Sequence, residues 1–208
     1  MPTPLHAPND QTPAGIIFDL DGTLADTMPA HFVAWTEICN RHGLDFPEDR
    51  FYRFGGMPSG RILEILIDEA GKSGALDPAV LAEEKEDAFT RHLDAVGPIP
   101  EVIAVARSAR DAGLPIGVAT GGHRRIAEPL LANLGIAGWF GCLVTAEDTD
   151  RHKPDPAPFL RAAELLSLDP AACDAYEDTD LGLQAIAAAG MRGIDIRPLR
   201  AAAHADQT

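Results

Sequence analysis

Short apolar runs that alternate with helical patterns along most of the chain limit its fold more than any other sequence feature. The first run, Gly15 to Asp19, stops at acidic residues. Similar runs lie at Leu114 to Thr120, Cys142 to Thr145, Cys173 to Tyr176 and Arg192 to Ile196. Helical patterns separate these runs, at Glu101 to Ala112, Arg124 to Leu134, Ala157 to Leu166 and Leu181 to Ala189. Strands that alternate with helices predict an α/β fold with a parallel sheet covered on both faces.

One segment breaks the alternation, because it contains helical patterns only. Three or four amphipathic helices are expected there, including Ala30 to His42, Gly60 to Ala70 and Pro78 to Ala95. The residues around Thr27 to Pro29 indicate an outgoing linker, and Gly97-Pro98-Ile99-Pro100 a return linker. We therefore expect a Rossmann-like core of residues 14–28 and 96–200. A small helical cap of residues 29–95 is inserted after the first strand, beside a cleft at the strand ends.

Acidic side chains follow two of the predicted strands. Asp19-Leu20-Asp21-Gly22-Thr23 ends the first strand, and Glu177-Asp178-Thr179-Asp180 follows the strand that begins at Cys173. Carboxylates this close together concentrate like charge, which a bound cation would offset. The alternative for the first cluster is a loop that only caps a helix, and Asp180 is expected to be an N-cap residue.

The two acidic clusters are expected to meet, because parallel strands end at one edge of a sheet. Asp19, the backbone carbonyl of Asp21 and Asp178 could then bind one hard cation through oxygen atoms, as Mg²⁺ prefers. Glu177 could bind the same ion directly or through water. The sequence therefore predicts a magnesium site made by these four residues.

Two further motifs supply groups that suit a phosphate. Thr120-Gly121-Gly122 ends a predicted strand just before a helical pattern, so a hydroxyl and backbone N–H groups lie near a helix N-terminus. Lys153-Pro-Asp-Pro156 places a cation before another helix. The alternatives are a simple glycine-rich turn for the first motif and a solvated surface lysine for the second.

The formal net charge of −15 limits what such a site can bind. This charge would repel the phosphate backbone of nucleic acids and the anionic face of a membrane, so neither is an expected partner. A small phosphorylated substrate is also an anion. It could bind only where a metal ion and a few cationic side chains invert the potential inside one cleft.

Taken in order, the four motifs resemble those of the haloacid dehalogenase superfamily over residues 15–197. The segment Phe18-Asp19-Leu20-Asp21-Gly22-Thr23-Leu24 matches the nucleophile motif, and Thr120 matches the phosphate-binding hydroxyl. Lys153 matches the third motif and Glu177-Asp178 the acidic metal motif. Any one of these matches is weak, but four in the same order are specific.

The resemblance implies a Mg²⁺-dependent phosphatase that works in two steps. Asp19 would attack phosphorus and form an aspartyl-phosphate, while Asp21 would protonate the leaving oxygen and later take a proton from water. Lys153 and Thr120, with Gly121, would bind the phosphoryl oxygens. Asp21 also separates the chain from the metal-free dehalogenases, which lack the second aspartate of the motif.

The position and helical character of the insertion resemble the cap of the β-phosphoglucomutase-like branch. A closer resemblance, to the bacterial fructose-1-phosphatase-like proteins of this branch, is carried by Pro58 with Arg61, Leu76-Asp77-Pro78 before Glu84-Lys85, and Gly182-Leu-Gln-Ala-Ile186. The resemblance suggests that His31, Arg61 and Lys85 contribute to sugar recognition, although Arg61 and Lys85 could equally lie on solvated helix faces. A sugar phosphomutase is the alternative activity. The mutase-type cap usually has an arginine directly after a Gly-Val-Ser turn, whereas Ser59 occupies that place here. A non-catalytic phosphosugar-binding module is less favoured, because the motif residues are all present.

The remaining expectations concern the ends of the chain, its location and its assembly. Residues 1–13 are proline-rich and predict a disordered tail, and residues 201–208 predict a C-terminal tail. Neither an apolar signal region nor a long apolar run occurs, which predicts a cytoplasmic protein. A monomer or weak homodimer is expected. The three cysteines are far apart, so they predict reduced thiols rather than disulfides or a zinc site.

Overall fold

The structure is a computed structural model that describes residues 12–55 and 57–200. Residues 1–11 of the predicted N-terminal tail and the predicted tail of residues 201–208 lie outside the described residues. The chain divides into two compact units. The core unit comprises Met1–Asp26 and Gly97–Thr208, and the helical unit comprises Thr27–Val96.

The core unit is built on one parallel sheet of five strands in the order β3-β2-β1-β4-β5. The strands are β1 (Gly15–Phe18), β2 (Ile116–Ala119), β3 (Cys142–Val144), β4 (Cys173–Glu177) and β5 (Arg192–Asp195). All residues of the three central strands are buried, as expected for strands covered on both faces. The register pairs Phe18 with Val118 on one side and with Tyr176 on the other. The residues that follow β1, β2 and β4 therefore leave the sheet side by side.

The helical unit contains four of the helices. They are α1 (Met28–His42), α2 (Glu48–Arg53), α3 (Ser59–Glu69) and α4 (Pro78–Thr90). Its core includes an aromatic group in which Phe46 contacts Trp35 and Phe51. Helix α2 has only six residues, too few for a periodic pattern, and the sequence did not identify it. Helix α4 ends at Thr90, and a separate 3₁₀ turn follows at Leu93–Ala95, so the predicted single helix to Ala95 is wrong.

Four helices of the core unit connect its strands. They are α5 (Pro100–Asp111), α6 (Arg124–Asn133), α7 (Ala157–Leu165) and α8 (Asp180–Ala188). Helices α7 and α8 bury small residues against the sheet, among them Ala162, Ala163 and Ala185, so their backbones can approach the strands closely. The arrangement confirms the predicted α/β fold with a Rossmann-like parallel sheet. Among the described residues, no helix combines the length and the apolar character needed to cross a membrane.

Candidate active site

The loop after β1 is tied to the sheet at its first residue and folded tightly after it. The backbone N–H of Asp19 donates to the carbonyl of Tyr176 at 3.0 Å. The carbonyl of Leu20 accepts three backbone N–H groups, those of Thr23, Leu24 and Ala25. This folding leaves Asp19 only 4% exposed at the end of the strand. The predicted nucleophile therefore lies in a fixed and largely dry position.

The second acidic cluster is anchored where α8 begins. Thr179, rather than the predicted Asp180, is the N-cap residue of α8, because its hydroxyl accepts the N–H of Gly182 at 3.0 Å. Glu177 is 1% exposed, and its Oε1 accepts the N–H groups of Asp178 and Thr179 and the Thr179 hydroxyl. Gly182 leaves room for this carboxylate, since a Cβ there would lie 2.0 Å from Glu177 Cδ.

Lys153 joins the two acidic clusters. Its Nζ donates to Asp19 Oδ1 at 2.6 Å and to Glu177 Oε2 at 2.7 Å. The ammonium also lies 5.0 Å from the ring centroid of Phe159, and the side chain is 13% exposed. The interpretation of Lys153 as a solvated surface lysine is therefore wrong. Both oxygens of Glu177 are occupied, so its contacts suit the holding of Lys153 better than direct metal binding.

A cation would fit among the carboxylates at this edge of the sheet. Oxygen atoms of Asp19, Glu177 and Asp178 all lie within 4.8 Å of one another. Asp178 Oδ1 accepts the hydroxyl of Thr23 at 3.1 Å, which orients its carboxylate. With the oxygens of Glu177 already hydrogen-bonded, the carboxylates of Asp19 and Asp178 remain as oxygen donors that suit a hard divalent cation such as Mg²⁺. Lys153 offsets only part of the negative charge of three crowded carboxylates.

The crowding changes the protonation equilibria of these groups. Burial, with the nearby Glu177 carboxylate, raises the pKa of Asp19 well above its ordinary value. The same two causes raise the pKa of Asp178 to about 7, although the hydrogen bond from Thr23 opposes the shift. Burial opposes the charged form of Lys153, but the Asp19 and Glu177 carboxylates outweigh it and raise the lysine pKa. The site therefore favours the arrival of positive charge.

Asp21 meets the end of β2 through Thr120. The hydroxyl of Thr120 donates to Asp21 Oδ2 at 3.2 Å and accepts the backbone N–H of Gly122 at 2.9 Å. Thr120 is 1% exposed, and its own N–H donates to the carbonyl of Val144. The predicted acid–base residue and the predicted phosphate-binding hydroxyl are thus brought together.

The N-terminus of α6 differs from the expected phosphate cradle. The N–H of Arg124 donates to the carboxylate of Glu147, which also lies 2.9 Å from His123 Nδ1. A carboxylate of the chain itself therefore occupies the helix end. Gly121 is exposed in the turn before it, and nothing lies within 4 Å of where its Cβ would be. Glu147 was missed because its contact depends on how the loop after β3 folds.

The predicted sugar-recognition residues all lie in the helical unit. Lys85 is 3% exposed, and its Nζ lies 3.0 Å from His31 Nδ1 and 2.9 Å from Glu86 Oε1. The alternative of a solvated Lys85 is therefore wrong. Arg61 has a side chain that is 63% exposed and pairs with Glu64 on the same helix, as expected of a solvated face.

The sequence and fold of this chain are similar to those of several known proteins. The sequence profile of the haloacid dehalogenase-like hydrolases matches residues 13–190. A fructose-1-phosphate phosphatase of Escherichia coli (strain K12) is 40% identical over 187 residues, which cover 89% of this chain and 97% of that protein. A β-phosphoglucomutase of Bacillus subtilis (strain 168) is 30% identical over 187 residues, covering 87% and 82%. The solved structure of CbbY from Rhodobacter sphaeroides in complex with phosphate is similar, with a TM-score of 0.78, 26% identity and coverage of 88% and 86%.

Proposed function

The chain belongs to the haloacid dehalogenase-like hydrolase family and is a phosphoric monoester hydrolase, and on this premise we propose that it hydrolyses small sugar phosphates such as fructose 1-phosphate. The proposed reaction depends on Mg²⁺ and passes through an aspartyl-phosphate on Asp19. One observation carries the proposal: a carboxylate, an ammonium and a second carboxylate pair converge at the ends of β1 and β4. The specific sugar follows the name of the relative from Escherichia coli.

In the first step the carboxylate of Asp19 attacks phosphorus in line with the leaving sugar oxygen. A bond forms between an Asp19 oxygen and phosphorus, and the bond between phosphorus and the sugar oxygen breaks. Asp21 donates its proton to the departing oxygen, so that the sugar leaves as an alcohol. The hydroxyl of Thr120, which contacts Asp21, holds that side chain beside the reacting group.

In the second step water attacks the phosphorus of the aspartyl-phosphate. Asp21, now ionised, takes a proton from this water, and inorganic phosphate leaves with Asp19 restored as a carboxylate. Lys153 balances charge on the phosphoryl oxygens through both steps, and Glu177 keeps the ammonium in place. Mg²⁺, held by Asp19, the Asp21 carbonyl and Asp178, would offset the repulsion between carboxylate and phosphate.

A sugar phosphomutase is the second candidate, favoured by the β-phosphoglucomutase relative. Both activities share the first step and differ in whether water or a second hydroxyl accepts the phosphoryl group. The phosphatase is preferred because Ser59 stands where the mutase-type cap has a phosphate-binding arginine. The next arginine, Arg61, is paired with Glu64.

A phosphate-release assay over a panel of sugar phosphates, with and without Mg²⁺, tests the proposal. Free phosphate that appears only with the metal supports the phosphatase. An isomeric sugar phosphate with little phosphate release would support the mutase instead. Absence of both products would contradict an enzymatic role on these substrates.

We also propose that His31 and Lys85, whose side-chain nitrogens lie 3.0 Å apart, contribute to sugar recognition together with Arg61, which would have to leave Glu64 to do so. Alanine variants of each, measured across the same panel, should change the ranking of kcat/KM among sugars. Wild-type kcat/KM for every sugar in all three variants would contradict this part of the proposal. The partner in every case is a small phosphorylated metabolite, with the chain acting as a monomer or weak homodimer.

A further inference from the structure

Arg200, at the end of the described chain, reaches back to the loop after β1. Its Nη2 donates to Asp26 Oδ1 at 2.9 Å, and its Nη1 lies 3.5 Å from the carbonyl oxygen of Gly22. One guanidinium group thus spans two residues that lie four positions apart. We propose that Arg200 is a positioning residue for phosphoryl transfer, an inference that rests on the proposed function for its catalytic consequence.

The Gly22 end of this contact lies against the predicted metal site. Gly22 has a φ of +83°, and a Cβ there would lie 2.3 Å from Asp178 Oδ2. The next residue, Thr23, donates its hydroxyl to the other oxygen of the same carboxylate. The peptide group between Gly22 and Thr23 presents its oxygen to Arg200, so a shift of this peptide would disturb Asp178.

The Asp26 end of the contact fixes the last residue of the core unit before the helical unit begins. The backbone N–H of Asp26 donates to the carbonyl of Gly97 at 2.9 Å. Gly22 and Ala25 are joined by a further backbone hydrogen bond of 2.8 Å. Backbone hydrogen bonds already close the turn between Gly22 and Asp26. The Arg200 side chain adds a clamp, because its guanidinium group contacts both of these residues.

The clamp is itself fixed to the strand that carries Glu177. Arg200 lies in a helical turn over residues 197–200, and its N–H donates to the carbonyl of Ile196. Ile196 is fully buried, and its N–H donates to the Glu177 carbonyl at 3.0 Å. Through these contacts, Arg200 fixes the position of the loop after β1 relative to the end of β4.

The ion pair between Arg200 and Asp26 is partly exposed, so its loss should affect catalysis more than stability. The Arg200 and Asp26 side chains are 29% and 37% exposed. Ion pairs with this much exposure contribute little to stability. A small displacement of reacting groups, in contrast, can lower a rate by one or two orders of magnitude. Loss of Arg200 should therefore lower activity while leaving the melting temperature nearly unchanged.

The test compares Arg200→Ala and Arg200→Lys with wild type, using Arg161→Ala as the matched control. Arg161 pairs with Glu164 on the surface of α7, so its loss removes the same charge from the core unit. We expect Arg200→Ala to lower kcat/KM about tenfold and to raise the half-saturating Mg²⁺ concentration. Arg200→Lys should recover part of both, because a lysine keeps one contact of the forked guanidinium.

Hydrogen exchange of the peptide that spans residues 19–27 gives a readout that needs no turnover. Exchange should rise in Arg200→Ala and stay at the wild-type level in Arg161→Ala. Wild-type exchange and wild-type Mg²⁺ dependence in Arg200→Ala would overturn the inference, as would a fall in melting temperature that accounts for the whole loss of activity. If wild type hydrolyses no sugar phosphate, the proposed function fails, and the exchange data alone decide whether Arg200 holds the loop.

Discussion

At the scale of single residues, the site depends on a division of labour between two neighbouring acids. The oxygens of Glu177 accept hydrogen bonds from Lys153, from the Thr179 hydroxyl and from backbone N–H groups, whereas Asp178 accepts the Thr23 hydroxyl through Oδ1 and has an oxygen within 4.8 Å of an Asp19 oxygen. The sequence placed both acids in the site, but it could not distinguish their roles. That distinction depends on which direction each side chain takes at the end of β4, which a motif does not encode.

A substitution at Gly182 tests the role of Glu177 without changing any charged group. In Gly182→Ala the new methyl would overlap the Glu177 carboxylate, 2.0 Å from its Cδ and 2.1 Å from its Oε2. We expect kcat to fall at least about tenfold, because Lys153 loses its support. The free energy of unfolding should fall by roughly 1–3 kcal/mol, as usual when a buried site is overpacked.

The control for this variant is Gly138→Ala, since nothing lies within 4 Å of a Cβ at that position. This control should keep wild-type kcat and stability in the same phosphate-release and denaturant-unfolding measurements. Wild-type kcat in Gly182→Ala would show that Glu177 can move without cost to Lys153, and the division of labour would be wrong.

At the scale of elements, the strands were predicted within two residues at each end. The three central strands leave a clear apolar signal because they are buried on both faces. The loops were predicted less well. The loop after β3 forms a 3₁₀ turn at Ala146–Asp148 with a capping box from Thr145, and it directs Glu147 to the start of α6. No periodic pattern marks such a turn, so the contact between Glu147 and the start of α6 could not be predicted from the sequence.

The ionised carboxylate of Glu147 links the turn after β3 to the start of α6, so protonation at low pH should weaken this link. Burial opposes ionisation, but hydrogen bonds from His123, Thr145 and the Arg124 N–H lower the pKa of Glu147 to about 2. A lowered pKa stabilises the fold above the ordinary value of 4.5, and this contribution is lost as the pH falls towards 2. Because the side chain is 48% exposed, we expect Glu147→Gln to cost only about 1 kcal/mol at pH 7.

Urea unfolding at several pH values measures this contribution. The difference between wild type and Glu147→Gln should shrink steadily below about pH 4.5. Glu164→Gln, which removes a surface carboxylate paired with Arg161, serves as the control and should differ little from wild type. A difference for Glu147→Gln that stays constant down to pH 2 would contradict the assignment.

At the scale of the whole molecule, the sheet order explains why distant motifs form one site. β1 lies between β2 and β4, so Asp19, Thr120 and Glu177 emerge at adjacent positions although they are far apart in the chain. The convergence was predictable because the alternation of strands and helices indicates a parallel sheet, whose strands end at one edge. Thr23, Thr179 and Arg200 were not predicted as site residues, because their contacts follow from the packing of loops rather than from a motif.

The crowded carboxylates should make the metal-free protein less stable than it could be. The pKa of Asp178 is raised to about 7 in the folded protein, so the free energy of unfolding falls as the pH rises from the ordinary value of 3.8 to about 7. Asp178→Asn removes this cost and can still accept the Thr23 hydroxyl. Without metal, we expect the free energy of unfolding of Asp178→Asn to be higher than that of wild type by roughly 2–4 kcal/mol at pH 8, and nearly equal to it near pH 4.

Thermal unfolding with and without Mg²⁺ tests whether the crowded carboxylates destabilise the metal-free protein. The metal should raise the Tm of wild type, because it binds the folded state, and should raise that of Asp178→Asn much less. An Asp178→Asn protein that is less stable than wild type at pH 8 without metal would contradict the electrostatic account.

The central claim is that Asp19 carries the phosphoryl group, and the most direct test is to trap it there. Asp21→Asn should accept a phosphoryl group from acetyl phosphate, whose leaving group needs little protonation, but should hydrolyse it slowly for lack of a base. In the presence of Mg²⁺, mass spectrometry of the quenched variant should find one phosphoryl group per chain, on the peptide that contains Asp19. The same label on another residue, or equal labelling of the double variant that also carries Asp19→Asn, would contradict the account.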